Sequence, residues 1–342
     1  MSEAQIEAGG RVLGHKSGRW AAEQMVKAIK NGEALSPGLL RTADILRKDE
    51  WIEYDEAVLE EALPPMVGIN DLIAGGLTKP ISNSMGKTMI QWQAMADMED
   101  AIVSLSGIDR SENDAVDFEL AGIPLPITHK DFDINIRTLA ASRNLGESLD
   151  MIQARISGRK VGEKLEEMLF IGGPTFGGST IYGYTNHPNV NRTQFSSAGE
   201  LWTAAGKTPE EIFADVVAMI VKLQAANHFG PYVLYVPSTY SIVLDADFKA
   251  TGDLTLRQRL LQIEGLRAIR TAHKLPADTV VLVQMTREVV MLAQGEPIQT
   301  VQWDFDGGFV VKFKVFTIQV PIIRADAADR SGIVVANATG AA

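Results

Sequence analysis

The spacing of apolar residues switches repeatedly between helical and strand periods, and the switches divide the chain. Near the start, "GRWAAEQMVKAIKNG" and "SPGLLRTADIL" predict short helices, the first stopping at Gly32 and the second opening at Ser36–Pro37. "LRKDEWIEYDEAVLEEAL" then places Trp51, Ile52, Val58, Leu59 and Leu63 on a rough helical stripe that Pro64–Pro65 ends. Residues 72–124 are different: a Gly-, Ser- and Pro-rich stretch precedes two strand patterns flanking "GIDRSEND". This predicts a long two-stranded excursion. A lone hairpin is marginal in water, so this one should lie on another surface.

Strand spacing returns at 126–146, followed by a helix over 147–170. Leu149, Ile152, Ile156, Leu165, Met168 and Leu169 mark its expected apolar face. About 24 helical residues would span about 36 Å. Gly158 and Gly162 lie one turn apart inside it, where each costs about 1 kcal/mol relative to Ala, so a closely packed neighbour is expected. Gly172–Gly173–Pro174 stops the helix.

Between 200 and 302 helices and strands alternate. Thr208 is the expected N-cap, Pro209 the first helical residue and Glu211 the capping-box partner. "YVLYV" predicts a buried strand, Ser238 begins a helix, "LRQRLLQI" gives another, and "DTVVLVQM" a further strand. In "GGFVVKFKVFTIQVPII", Val311, Phe313, Val315, Thr317 and Gln319 alternate against Val310, Lys312, Lys314, Phe316 and Ile318. "GIVVANA" is a last short strand.

Composition narrows the function. The 342 residues are 46% hydrophobic and 22% charged, as in folded proteins generally. There is no cysteine, hence no disulfide framework and no thiolate metal site, which suits a reducing compartment. The formal net charge of −11 argues against binding nucleic acid through a basic surface. No apolar run is long enough to span a bilayer; the longest candidate carries Glu210, Glu211, Asp215 and Lys222. The N-terminus has no signal-peptide core, and no cleavage of an N-terminal segment is expected. "MSEAQIEAGG" is too polar to form a core, so a neighbouring chain is expected to hold it.

Three motifs carry candidate chemistry. In "ITHKDFDINIR", period two puts His129, Asp131, Asp133, Asn135 and Arg137 on one strand face, with Phe132, Ile134 and Ile136 on the other. A His-x-Asp-x-Asp row could hold a divalent metal, and a metal-dependent enzyme is one reading. The other is the polar face of a half-buried strand, because these positions spread over ~13 Å and no other histidine has a carboxylate at ligand spacing. "GPTFGGST" resembles a phosphate loop, but Ser179 stands where the lysine belongs and a helix precedes it where a strand is required. No Gly-x-Ser-x-Gly turn occurs.

"LRKDEWIEYDEAVLEEALPPMVGINDLI", "GIPLPITHKDFDINIR" and "EKLEEMLFIGGPTFGGSTIYGYTNHPNV" follow one another in an order that resembles the Hong Kong 97-type shell proteins, the major capsid proteins of tailed double-stranded DNA bacteriophages and the related encapsulins. The likeness covers roughly 45–336. It implies an α+β fold with an N-terminal arm (1–44), the N-terminal helix of a peripheral domain (45–71), and an extended loop (72–124). The peripheral domain (125–199) would contain a spine helix at 147–170. An α/β axial domain (200–302) and C-terminal strands returning to the peripheral domain (303–342) complete it. The strand bearing His129, Asp131 and Asp133 then becomes structural.

The resemblance implies self-assembly into hexamers and pentamers of an icosahedral head, with no catalysis, cofactor or metal. The implied partners are further copies of the chain, a portal, separate scaffolding and decoration proteins, and packaged DNA held without sequence preference. The implied location is the virion, assembled in the cytoplasm of a bacterial host. An encapsulin compartment is the alternative, and the 44-residue arm favours the phage. Charge suggests one contact between subunits. The loop carries Asp97, Glu99, Asp100, Asp109, Glu112, Asp114, Asp117 and Glu119, with Arg110 its only base between 97 and 119. The spine helix carries Arg155, Arg159, Lys160 and Lys164. Loop acids of one copy could face these bases on a neighbour, or the bases could pair with Glu163, Glu166 and Glu167 of their own helix.

Overall fold

A computed structural model describes residues 56–95, 118–135, 152–248, 254–305, 310–325 and 329–340. The expected arm with its two helices, Trp51, Ile52, Leu149, Arg137 and the tip of the extended loop lie outside the described residues. The chain forms two compact units. The larger comprises Ala57–Asp131, Ile152–Val301 and Lys314–Ala342. In the smaller unit, Phe132 stacks on Phe313 with ring centroids 4.9 Å apart.

The larger unit is organised around the spine helix. Helix α1 (56–62) and helix α2 (Val67–Ala74) precede it, separated by the Pro64–Pro65 break. The spine, α3, is described over Ile152–Phe170. The two glycines explain how α1 meets it. A Cβ at Gly158 would lie 2.3 Å from the Val58 carbonyl oxygen, and one at Gly162 would lie 2.3 Å from that of Ala62. The register runs upward in both helices, so they cross in parallel with backbones nearly touching. Only Gly permits this, which is the packing reason its helix cost demanded.

The buried faces differ in detail from the expected stripes. On the spine, Leu165, Met168 and Leu169 are buried as anticipated, but Ile152 and Ile156 are exposed. Ala154, Ser157, Gly158, Val161, Gly162 and Glu166 are buried in their place. On α1, Val58 is buried with Ala57 and Ala62, whereas Leu63 is exposed. Both corrections have one cause: a close crossing selects small residues, and large side chains are displaced to the flanks.

Within the range 72–124 expected as an extended loop, residues 72–74 end α2 and strand β1 (Thr78–Pro80) follows; then comes an antiparallel pair, β2 (Met89–Met95) and β3 (Phe118–Pro124), the base of a hairpin. Ile90, Ile123 and Leu125 pack with Met168 of the spine, Ile181, and Met291, Ala293, Phe316, Ile318, Val320 and Ile322. These last residues belong to strands β11 (Val290–Phe305) and β12 (Val310–Ile323), which with β1 and β4 (Thr128–Asn135) form a four-stranded sheet of order β1-β11-β12-β4. The Arg324 guanidinium lies over the ring of Trp92 at 5.8 Å, so the hairpin base is fastened at a second point.

After the spine, "GPTFGGST" forms a two-residue hairpin between β5 (Thr175–Phe176) and β6 (Ser179–Thr180). Gly177 and Gly178 both have positive φ, 57° and 87°, the requirement of the tight turn that matches strand twist. The glycines serve the turn, in agreement with rejecting a phosphate loop.

Strand β7 (Asn191–Gln194) and the one-turn α4 (Ser196–Gly199) lead into α5 (Pro209–Ala225), which opens on the anticipated capping box of Thr208 and Glu211. Strand β8 (Tyr232–Val236), helices α6 (Ser238–Leu244) and α7 (Leu256–Leu260), strands β9 (Leu266–Thr271) and β10 (Val280–Gln284), and finally β13 (Ile333–Asn337) follow. They build a mixed sheet of order β7-β13-β10-β8-β9. Its core joins Ile212, Val216, Met219 and Leu223 of α5 to Leu234, Leu282 and Val334 of the sheet.

The boundaries expected at 199/200 and 302/303 do not coincide with the sheets. β7 and β13 belong to the five-stranded sheet, whereas β11, most of it before 302, belongs to the four-stranded one. β13 pairs with β10 over Val280–Val283 because both are short, apolar and buried. The terminal segment therefore joins the α/β layer, and β12 alone of its strands joins the other.

Candidate assembly surfaces

The bases of the spine helix sit on its exposed side. Arg155 lies 3.5 Å from Glu60 of α1. Arg159 and Lys160 lie 3.7 and 3.0 Å from Glu163, and Lys164 lies 2.7 Å from Glu167. Lys274 adds a second ammonium 3.2 Å from Glu163. Within one subunit the bases are thus paired with carboxylates of their own helix or of α1. All four are roughly half exposed, so each pair is worth about 0–1 kcal/mol and exchanges readily for another partner. The Lys160 ammonium, with Lys274, holds the Glu163 carboxyl below its usual value against the opposing effect of burial.

The loop acids Asp97, Glu99, Asp100, Asp109, Glu112, Asp114 and Asp117 lie outside the described residues. The antiparallel base of the hairpin directs the chain out at Met95 and back at Phe118.

Glu166, grouped by sequence with the surface pairs, is wholly buried instead. Its Oε1 accepts the Gly68 N–H at 2.8 Å and its Oε2 the Ile69 N–H at 3.3 Å. These are the orphan donors of α2, whose N-cap Met66 offers no side-chain oxygen. A turn further along α2, Asp71 accepts from the Tyr235 hydroxyl at 3.2 Å and pairs with Arg270 at 3.3 Å. Sequence gave no signal for this, because the oxygen that caps α2 comes from a residue 98 positions away.

A second buried charge organises the turn before α5. Asp215 accepts from the Ser196 N–H at 2.7 Å and the Trp202 indole N–H at 2.9 Å, and pairs with Lys207 at 3.0 Å. Lys207 also donates to Ser196 O and Oγ at 3.1 and 2.8 Å. Both charges are out of water and fully hydrogen-bonded, the condition under which a buried pair is tolerable.

The His129, Asp131, Asp133 row forms an exposed strand face, with Phe132 and Ile134 half-buried on the other side. Asp131 pairs with Lys314 at 3.6 Å. No group of three or more metal-ligating side chains occurs among the described residues. Nor is any helix among them long and apolar enough to cross a membrane.

The remaining conspicuous surface is apolar. Ile242 on α6 is 79% exposed, with Leu254 and Leu261, which flank α7, also exposed. On the spine side Ile152, Ile156, Leu63 and Ile73 are exposed as well. The position of Ile242 inside "STYSIVLDAD" was legible only as helix; its outward direction depends on which face Tyr240 and Leu244 bury.

Three comparisons bear on this geometry. The sequence model of a family of unknown function, DUF6260, matches residues 41–336. The type 1 encapsulin shell protein EncA of Myxococcus xanthus (strain DK1622) is 26% identical over 260 residues, which cover 72% of this chain and 80% of EncA. Among solved structures, a virus-like particle from Pyrococcus furiosus superposes with a TM-score of 0.56 at 14% identity, over 84% of this chain and 99% of its own. The capsid of Myoviridae Phage XM1 superposes with a TM-score of 0.58 at 11% identity, over 78% and 90%. The fold is the Hong Kong 97-type capsid fold.

Proposed function

The chain belongs to the family of unknown function DUF6260, and we propose that it is the repeating subunit of an icosahedral shell. One observation carries this reading: the likeness to solved particle and capsid proteins extends over 84% and 78% of the chain.

The finer reading is a tailed-phage major capsid protein forming hexamers and pentamers around double-stranded DNA, assembled in a bacterial host. A portal and separate scaffolding and decoration proteins would be its partners. An acidic wall, net −11 per chain, is compatible with DNA that a motor drives in, since repulsion keeps the packed duplex mobile. The likeness to EncA supports a second reading, a compartment that encloses folded protein.

In either shell, acids of the extended loop face Arg155, Arg159, Lys160 and Lys164 of a neighbouring copy, replacing the pairs those bases make within the subunit. Electron microscopy of the purified protein tests the shell: closed particles are expected, and a monodisperse small monomer would overturn it. The ultraviolet ratio of nucleic acid to protein, with mass spectrometry of the contents, separates genome from enclosed protein.

A further inference from the structure

Ile242 and Phe229, 79% and 70% exposed, are the two most exposed large apolar side chains among the described residues, and they stand at opposite ends of one strand. Phe229 precedes β8 across Gly230–Pro231, where the Met285 N–H, just past β10, donates to the Pro231 carbonyl at 2.8 Å. Helix α6, which carries Ile242, opens at Ser238, just past the other end of β8. Ile242 stays at that end: the Thr271 hydroxyl, on the β9 residue opposite Val236, donates to the hydroxyl of the adjacent Ser241 at 3.2 Å. Five strand residues span about 17 Å, so the two side chains do not meet within one subunit. Phe229 is also held in place. The neighbouring His228 donates its N–H to Leu223 O at 2.9 Å, and its carbonyl accepts the Tyr232 hydroxyl. A ring presented without freedom loses little entropy on docking. The two ends differ in charge. Asp245, 61% exposed although it holds Arg257 at 2.6 Å, lies one turn from Ile242, and Asp247 is exposed beyond it. Lys222, which donates to the Arg192 carbonyl, is exposed in the last turn of α5, the helix that leads into Phe229.

We propose that Phe229 of one copy docks on Ile242 and the exposed side of α6 in the next copy, so that each chain carries both halves of a head-to-tail contact. The inference rests on the shell reading and deepens it by naming the faces that meet. A second copy fits because the halves are complementary: an apolar ring with an ammonium on one, an apolar side chain with two carboxylates on the other. Like-to-like pairing is disfavoured by the same charges. Phe229 against Phe229 sets Lys222 towards its own copy, and Ile242 against Ile242 does so for Asp245 and Asp247. A contact between two different patches of one chain is heterologous, and its repetition about a rotation axis closes a ring.

The full-length chain has no cysteine, so introduced thiols report the contact without background. Lys222→Cys combined with Asp247→Cys leaves Phe229 and Ile242 in place. Treated with a short bismaleimide, assembled particles of this double variant are expected to give a ladder of covalent multimers on a denaturing gel, and each single variant none. Assembled particles that give no ladder, or a ladder from either single variant, overturn the contact and leave the shell reading standing. Should the double variant not assemble, Phe229→Ser decides: it is expected to keep the subunit's circular dichroism and melting temperature, weaken each contact about tenfold or more, and abolish particles. Normal particles from Phe229→Ser overturn the contact. A wild-type protein that forms no particles overturns the shell reading, and this contact with it.

Discussion

Gly158 of the spine helix lies so close to the carbonyl of Val58 that a single added methyl group would sit 2.3 Å from that oxygen. The contact is backbone to backbone, and no rotamer change can relieve it. Gly158→Ala gains about 1 kcal/mol of helix propensity and loses more to the clash, since overpacking of this kind costs about 1–3 kcal/mol. The expected result is a lower melting temperature, and likewise for Gly162→Ala against Ala62. A melting temperature raised by either substitution would show that the two helices part without cost.

The buried pair of Lys207 and Asp215 is stable only as a pair. Asp215→Ala strands the ammonium and leaves the Trp202 indole and Ser196 amide without their acceptor, so a loss of about 3–5 kcal/mol is expected in denaturant unfolding. Replacing both charges by apolar residues of similar size should cost much less. Near-equal costs would mean that packing, not charge, governs the site.

The Glu163 carboxyl is lowered by Lys160 and Lys274, so the stability it contributes is present above its ordinary value of 4.5 and is lost as pH falls through the lowered one. Lys274→Met should lower the melting temperature slightly near neutrality, and the difference from wild type should close in acid. A difference that persists at low pH would assign the Lys274 contribution to packing of its aliphatic stem.

Reversing Arg155 and Arg159 to Glu should impair particle formation while leaving the subunit folded by circular dichroism. Within the subunit the substitutions only exchange weak, half-exposed pairs with Glu60 and Glu163 for weak repulsions. In the proposed shell the same change would repeat at every contact between copies. Normal particles from this variant would exclude the pairing with loop acids.

Much of the local structure was determined by sequence alone, because its causes are local. The Thr208–Glu211 capping box, the buried strand Tyr232–Val236, the alternation at the start of β12 and the need for a close neighbour at Gly158 and Gly162 all depend on a few adjacent residues and their backbone preferences. β11 was hidden because it contains Gly295 and Pro297, which read as breakers. The glycine is there because a Cβ would lie 2.3 Å from that of Ser84.

Only the tertiary structure decided which sheet β13 joins, which side of the spine is buried, and that Glu166 points inward while Glu163 and Glu167 point out. Each of these depends on what a distant segment places opposite: strand β10 for β13, the small residues of α1 for the spine, and two uncapped amides of α2 for Glu166. Periodicity records which residues share a face. It carries no information about the surface that face will meet, because that surface is built by chain far away in sequence.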